Sequence, residues 1–423
     1  MKAGFAEFLR PAGAVGFLLL ATAAAQAVPQ CQPGNGGIKL PSGFCALVAA
    51  DNLGSARHAW VAPDGDLFVA LQRGRTSPGG VVALHDSKGD GHLDVKQTFG
   101  EGSATGIGYY NGYLYVALTD QVVRYKLPAG ALKPTGDKEV VVSGFDTARE
   151  HSDKGLALDG KGFLYVNIGS PSNACQTRDR QKGSPGQDPC PILEQHSGIW
   201  KFDANKLDQK VSDGTRLVTG MRQEPDVAWA YNAPYTVMNN RDQIDLLYPD
   251  KFTAEDNAEG PAEGMYRADR GLNFGWPYCY YDYRRKQLLL NPEYGGDGKT
   301  VGRCSQFTPP IAAFPAHWAP VDVTFYNGTQ FPAKYRGGAF IAFHGSWNRA
   351  PEERPGAVVF QPFDRSGKPN GNFEVFASGF TPGPVTDQSK YTARPDGVAV
   401  APDGSLYITD SVKGKIWRVF YRP

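Results

Sequence analysis

The 423-residue sequence has almost no net charge, because 44 Lys and Arg stand against 43 Asp and Glu, leaving +1 at pH 7. A nucleic-acid binder needs a basic face to displace condensed counterions, so nucleic acid is excluded as a partner. Methionine is scarce, at 4 residues. Beyond residue 27 no apolar run approaches the roughly 20 residues of a spanning helix, so no membrane span is expected in the mature chain. No two cysteines have the C-x-x-C spacing of a zinc or haem-attachment site. What is plentiful points to strands: 51 Gly, 32 Pro, 23 Phe and 20 Tyr make a turn-rich, aromatic-rich chain. Hydrophobic residues at 41% supply material for a sizeable core.

Residues 1–27 read as a signal peptide. Lys2 and Arg10 charge its start, a small-residue and Leu-rich stretch follows, and Ala25-Gln26-Ala27 fits a cleavage site. An uncleaved anchor is the rival, weakened by Gly13, Gly16 and Thr22. The expected mature chain is a single domain of residues 28–423, periplasmic or secreted. Export makes an even set of cysteines a set of disulfides. The six fall into three local couples, each bracketing a Gly- or Pro-containing loop, which favours Cys31 with Cys45, Cys175 with Cys190 and Cys279 with Cys304.

Self-similarity is the strongest signal in the chain. A strand, a turn of Gly with Asp or Asn, and a second strand recur around Ala62-Pro-Asp-Gly, Tyr110-Asn-Gly, Leu158-Asp-Gly and Ala401-Pro-Asp-Gly, with weaker copies at 227–237 and 321–342. Such units cannot bury both faces alone, and radial stacking solves this. The pattern predicts an all-β fold, a six-bladed β-propeller of four-stranded antiparallel blades. At about 66 residues per unit against roughly 40–50 for minimal blades, the surplus goes to long inter-blade loops at 171–197, 239–310 and 379–394.

Loops entering the units carry the candidate chemistry. His151, after Glu150, is either a surface histidine beside a carboxylate or a general base at the axial funnel. Arg222 and Arg394 hold comparable positions and are either blade-to-blade ion pairs or cations gathered at the axis. Asn239-Asn240-Arg241-Asp242 could hold a hard cation through carbonyls and carboxylates, without the spacing of an EF-hand. His344-Gly-Ser-Trp-Asn-Arg349 puts more polar chemistry in one loop than a turn needs. Trp276, Tyr278, Tyr280, Tyr281 and Tyr283 could stack on a sugar or simply pack. Asp86–Asp94 reads as a polar hairpin turn rather than a calcium loop.

In this order, Glu150-His151, Gly220-Met-Arg222, Asn239-Asn-Arg-Asp242, Gly271-Leu-Asn-Phe-Gly-Trp-Pro-Tyr-Cys279, Arg303-Cys-Ser305, His344–Arg349 and Arg394-Pro-Asp-Gly-Val-Ala399 resemble the glucose/sorbosone dehydrogenase family. The resemblance runs from about Ala56 to Arg418. It implies a soluble six-bladed propeller using pyrroloquinoline quinone and Ca2+, oxidising a sugar or sugar aldehyde and passing electrons to an external acceptor. By that resemblance His151 is the base and Arg222 stands beside the reactive carbonyl. Arg394 and Arg349, or His344 in the same loop, face the cofactor's carboxylates, while Asn240 and Arg241 offer backbone carbonyls to the calcium. Glu150 is expected to favour protonated His151 and so move the useful pH range upward. The alternatives are a non-enzymatic propeller that binds a glycan or protein, and a calcium-dependent lactonase, which would need side-chain carboxylates at the axis.

Overall fold

The computed structural model describes Met1 and residues 29–75, 77–147, 150–349, 353 and 356–423. The expected signal peptide lies outside the described residues, apart from Met1. The strands form six antiparallel blades. Blade 1 is Ala56–Val61, Leu67–Leu71, Gly80–His85 and Val95–Phe99, and blade 2 is Ala104–Tyr110, Tyr113–Leu118, Gln121–Lys126 and Glu139–Ser143. Blade 3 is Leu156–Leu158, Phe163–Ile168, Gly198–Asp203 and Thr215–Thr219, and blade 4 is Val227–Ala230, Ala233–Met238, Glu263–Arg267 and Ala312–Phe314. Blade 5 is Pro320–Phe325, Ala339–Phe343, Ala357–Gln361 and Glu374–Ala377. Blade 6 takes Pro395–Val400, Leu406–Asp410 and Ile416–Tyr421 from the C-terminus and its outermost strand, Phe44–Ala50, from near the N-terminus. That pairing closes the ring with ordinary antiparallel hydrogen bonds.

The first strands of successive blades touch one another around a closed ring, so they line the axis. Strand alternation then sends side chains into two neighbours at once. In blade 1, Leu67, Val69 and Leu71 pack toward blade 6, while Phe68 and Ala70 pack toward blade 2. This two-sided burial explains why the second strands read as unbroken apolar runs. The hairpins follow the repeat seen in the sequence. At the Ala401-Pro-Asp-Gly turn, Gly404 has φ 85°, and the Asp403 carboxylate accepts from the Ser405 amide at 2.9 Å.

Of the long segments, 379–394 joins two blades, whereas 171–197 and 239–310 sit inside blades 3 and 4. The last holds a blade strand, Glu263–Arg267, and a small separate sheet, Cys279–Asp282 with Gln287–Leu290. All three expected disulfides are present: Cys31–Cys45, Cys175–Cys190 and Cys279–Cys304. Cys31–Cys45 and Cys175–Cys190 staple segments with few ladder bonds, whereas Cys279–Cys304 brackets the small separate sheet.

The innermost strands of blades 1, 2, 5 and 6 each contain a register shift. Such bulges re-aim side chains. The residues beside them are buried and polar: Arg57 and His58, Thr105, Asp322, and Asp396. Glycine lets the ring close, since a Cβ at Gly155 would stand 2.4 Å from the Asp226 Cα.

Candidate active site at the upper mouth

The chain enters each innermost strand at one end of the axis, here the upper mouth, and leaves through a hairpin at the lower mouth. His151, Arg222 and Arg394 all lie on entering loops, and Asn239–Asp242 and His344–Arg349 follow second strands that return to the same end. The structure thus brings the sequence candidates to one mouth.

His151 has φ 54°, a left-handed conformation that a non-glycine residue adopts at a cost. Its backbone is held against Gly169, where a Cβ would meet the His151 carbonyl oxygen at 2.7 Å. The ring Nδ1–H donates to the Ser170 carbonyl at 2.5 Å, which leaves the lone pair on Nε2. Burial, and then the Arg222 guanidinium, hold the imidazole well below its ordinary 6.5. The expected upward influence of Glu150 is therefore corrected. Its carboxylate is 4.0 Å from Nε2 and is occupied by the Arg180 fork at 2.8 and 3.1 Å.

Arg222 is buried and donates through Nη2 to Asp242 at 2.6 Å and through Nε to the Asn173 carbonyl at 3.3 Å. Asp242 also accepts from Arg180 at 3.2 Å and from Asn348 at 3.0 Å. Burial pushes the Asp242 carboxyl up, but Arg222, His317 and Arg180 outweigh it and hold it well below the carboxylate range. Asn173 clamps the Asp242 backbone at both its N–H, 2.9 Å, and its carbonyl, 3.1 Å.

Arg394 lies across the mouth, donating to the carbonyls of His344 and Gly345 at 2.8 and 2.7 Å with its guanidinium 4.4 Å from the Tyr391 ring centroid. Burial lowers its pKa. Among the described residues no carboxylate pairs with this guanidinium. His344 Nε2 is 2.7 Å from Ser411 Oγ, and burial followed by Arg394 holds its imidazole well below 6.5. Arg349 pairs with Glu259 and donates to the Ala258 carbonyl. The Arg241 side chain points into the blade 4 insertion, meeting Glu293 at 2.5 Å and Asn291 at 3.0 Å. The Asn240 amide donates to Glu263 at 2.8 Å. Among the described residues, the backbone carbonyls of Asn240 and Arg241 accept no hydrogen bond.

The aromatic and acidic segments take their structural readings. Trp276 is buried against the Cys175–Cys190 disulfide. Asp86 accepts the amides of Gly89 and Gly91 at 2.8 and 2.7 Å, as a polar turn does. Sequence reasoning missed Arg180, Asn173, Ser170 and His317. Arg180 lies inside the loop closed by Cys175–Cys190 and Asn173 just before it, and that disulfide was the only signal near them. It also missed acidic groups at the axis, where His58, Asp226 and Asp322 lie together.

Fold and mouth together define a six-bladed propeller with a cation-rich axial site and a neutral histidine. The chain belongs to the TrAA12-like family, which it matches over residues 38–422. A pyrroloquinoline quinone-dependent pyranose dehydrogenase of Coprinopsis cinerea is 27% identical over 201 residues, 42% of this chain and 27% of that protein. The chain therefore spans about a quarter of that relative's length. The holo form of the pyranose dehydrogenase PQQ domain from the same organism superposes with a TM-score of 0.69 at 18% identity, covering 93% of this chain and 98% of that one. A calcium structure of a Trichoderma reesei family AA12 enzyme gives a TM-score of 0.72 at 18% identity, covering 94% and 99%. The resemblance to sugar dehydrogenases read from the motifs agrees with this membership.

Proposed function

We propose that the protein is an exported dehydrogenase that oxidises a sugar or sugar aldehyde, of aldose or sorbosone type, with pyrroloquinoline quinone and a divalent cation at the upper mouth. The observation that carries this reading is the state of His151, a buried neutral imidazole fixed by Ser170 with the Nε2 lone pair left over, beside a buried guanidinium. That is the arrangement of a general base. The three disulfides support export to an oxidising compartment, periplasmic or extracellular.

The donor set fits the cofactor and the ion. Arg394 is a half-buried cation without an anionic partner among the described residues, which suits a ligand carboxylate. Arg349 and His344 border the same loop. The carbonyls of Asn240 and Arg241 are acceptors without donors, which suits a hard cation such as Ca2+. When bound, the quinone supplies a two-electron acceptor for a hydride, which an external acceptor later removes. His151 takes the proton of the substrate hydroxyl at Nε2, and Ser170 holds its ring through Nδ1–H. Arg222, fixed by Asp242 and Asn173, presents positive charge where negative charge develops. Arg180 keeps Glu150 from pairing with His151, so the base stays unprotonated.

The test is reconstitution. Apoprotein is mixed with Ca2+ and pyrroloquinoline quinone, desalted and assayed with a panel of aldoses and a dye acceptor. Retained cofactor absorbance with sugar-dependent dye reduction supports the reading. Absence of retention returns the protein to a propeller that binds a glycan or a protein partner.

A further inference from the structure

Inside the axial channel that opens at the lower mouth lies a second cluster that plays no part in this chemistry. We propose that His58, Asp226 and Asp322, contributed by blades 1, 4 and 5, form a divalent-cation site for a first-row transition ion such as Mn2+ or Zn2+. The three residues are buried, at 4%, 5% and 5% exposure. Their donor atoms lie within 4.8 Å of one another. No sequence spacing reveals the site, because bulges or strand entries on separate blades bring the residues to the axis.

Three observations fit a cation. First, His58 Nδ1 is 3.4 Å from Asp226 Oδ1, and Asp226 and Asp322 share a side-chain hydrogen bond that an ion would replace. Neighbouring ligands on an ion with bonds of about 2.1–2.4 Å stand roughly 3.0–3.4 Å apart. Second, the far ring nitrogen, Nε2–H, donates to the Val321 carbonyl at 2.9 Å. This is the second contact that metal-ligating histidines make, and it turns Nδ1, whose proton an ion would displace, toward the two carboxylates. Third, backbone amides aim those carboxylates. Asp322 accepts from Val323 at 2.8 Å and from Val398 at 2.6 Å, and Asp226 accepts from Val323 at 3.3 Å.

The guanidinium of Arg57, beside His58, is hydrogen-bonded by Asp153 at 2.8 Å and Asp396 at 2.9 Å, and its charge also acts on Asp322. A cavity of about 530 Å³ reaches all three residues from the lower mouth, between Trp60, Tyr109 and Trp229. It admits an ion and the waters that complete its coordination. One imidazole with two carboxylates favours Mn2+ or Zn2+ over Ca2+ and Mg2+, which prefer oxygen alone. Such an ion would tie three blades together across the axis.

The test uses chelator-treated full-length protein without quinone, so a failure of the upper-mouth reading does not affect it. Titration with Mn2+, followed by electron paramagnetic resonance, is expected to show one tight site with a directly bound histidine nitrogen. Zn2+ should displace the Mn2+. Asp322→Asn and His58→Gln should each weaken binding by tenfold or more, and His58→Gln should abolish the nitrogen coupling. Mn2+ bound without histidine coupling in the wild type, or with unchanged affinity in both variants, would overturn the site. The wild-type spectrum decides the matter if either variant does not fold.

Discussion

At the upper mouth the guanidinium groups of Arg180, Arg222 and Arg394 stand near two histidines, His151 and His344, whose imidazoles are held below their ordinary value by burial and those cations. At the lower mouth burial again opposes charge on a histidine, but the carboxylates of Asp322 and Asp226 outweigh it and push His58 up to about 9. The depth of burial is similar and the fold is the same, so the sign of the neighbours decides the chemistry. Loops entering the blades supply the cations above, whereas His58 and Asp322 at inner-strand bulges and Asp226 at a strand entry supply the cluster within the channel. One end suits a ligand rich in carboxylates, and the other suits a cation.

The comparison breaks first at Arg222. Arg222→Leu leaves Asp242 buried with its main partner gone, at a cost of about 3–5 kcal/mol. Denaturant unfolding should show that loss, together with failure to retain the quinone. A smaller effect tests whether the placement of the base matters as much as its charge. Gly169→Ala forces a methyl against the His151 backbone, and a displacement of about 1 Å can cost on the order of 100-fold in turnover. Steady-state assay should find kcat lowered and quinone affinity little changed. Arg394→Ala should weaken quinone binding roughly 10-fold, the worth of one charge-assisted hydrogen bond. Turnover at saturating quinone should change less, because the contact is the same in ground and transition states; equilibrium titration of the apoprotein checks this.

The mildest effect is on pH dependence. His344 has a folded pKa below its unfolded 6.5, so in the window between those values the unfolded chain binds more protons. Its contribution to stability is complete above about pH 6.5 and is lost as pH falls toward the folded value. Melting temperature should fall on acidification, and His344→Gln should make the fall shallower. The same direction at His151 means that the base stays neutral through the neutral range. Turnover should therefore hold level until pH drops well below 6.5, rather than rise through an upward-shifted ionisation.

Four of the six hairpins were legible because each repeats a Gly turn between apolar strands, whereas blade 4 turns on Tyr231-Asn232 and blade 5 through the long loop 326–338, which is why those copies read as weak. Closure of the ring by Phe44–Ala50 was not legible, since the pairing with Ile416–Tyr421 spans almost the whole chain and leaves no local mark. The three cysteine couples were legible through their short separations. His151, Arg222 and Arg394 stood out because they share one position relative to successive repeats. Arg180 and Asn173 did not, because their loop belongs to blade 3 alone and has no counterpart to compare. His58 and Asp322 read as ordinary strand residues and Asp226 as the residue before a strand, and only bulges and the packing of blades around the axis bring them together.

The account rests most on His151 being the base at a site that holds the quinone. Wild type and His151→Gln should be loaded with Ca2+ and pyrroloquinoline quinone, desalted, and mixed with the best sugar in a single-turnover experiment that follows the cofactor's absorbance. Both should retain the cofactor, and reduction should be slower in the variant by roughly 100-fold to 10,000-fold, the usual worth of a positioned base. Reduction in the variant within about threefold of wild type, far short of that contribution, would contradict the account.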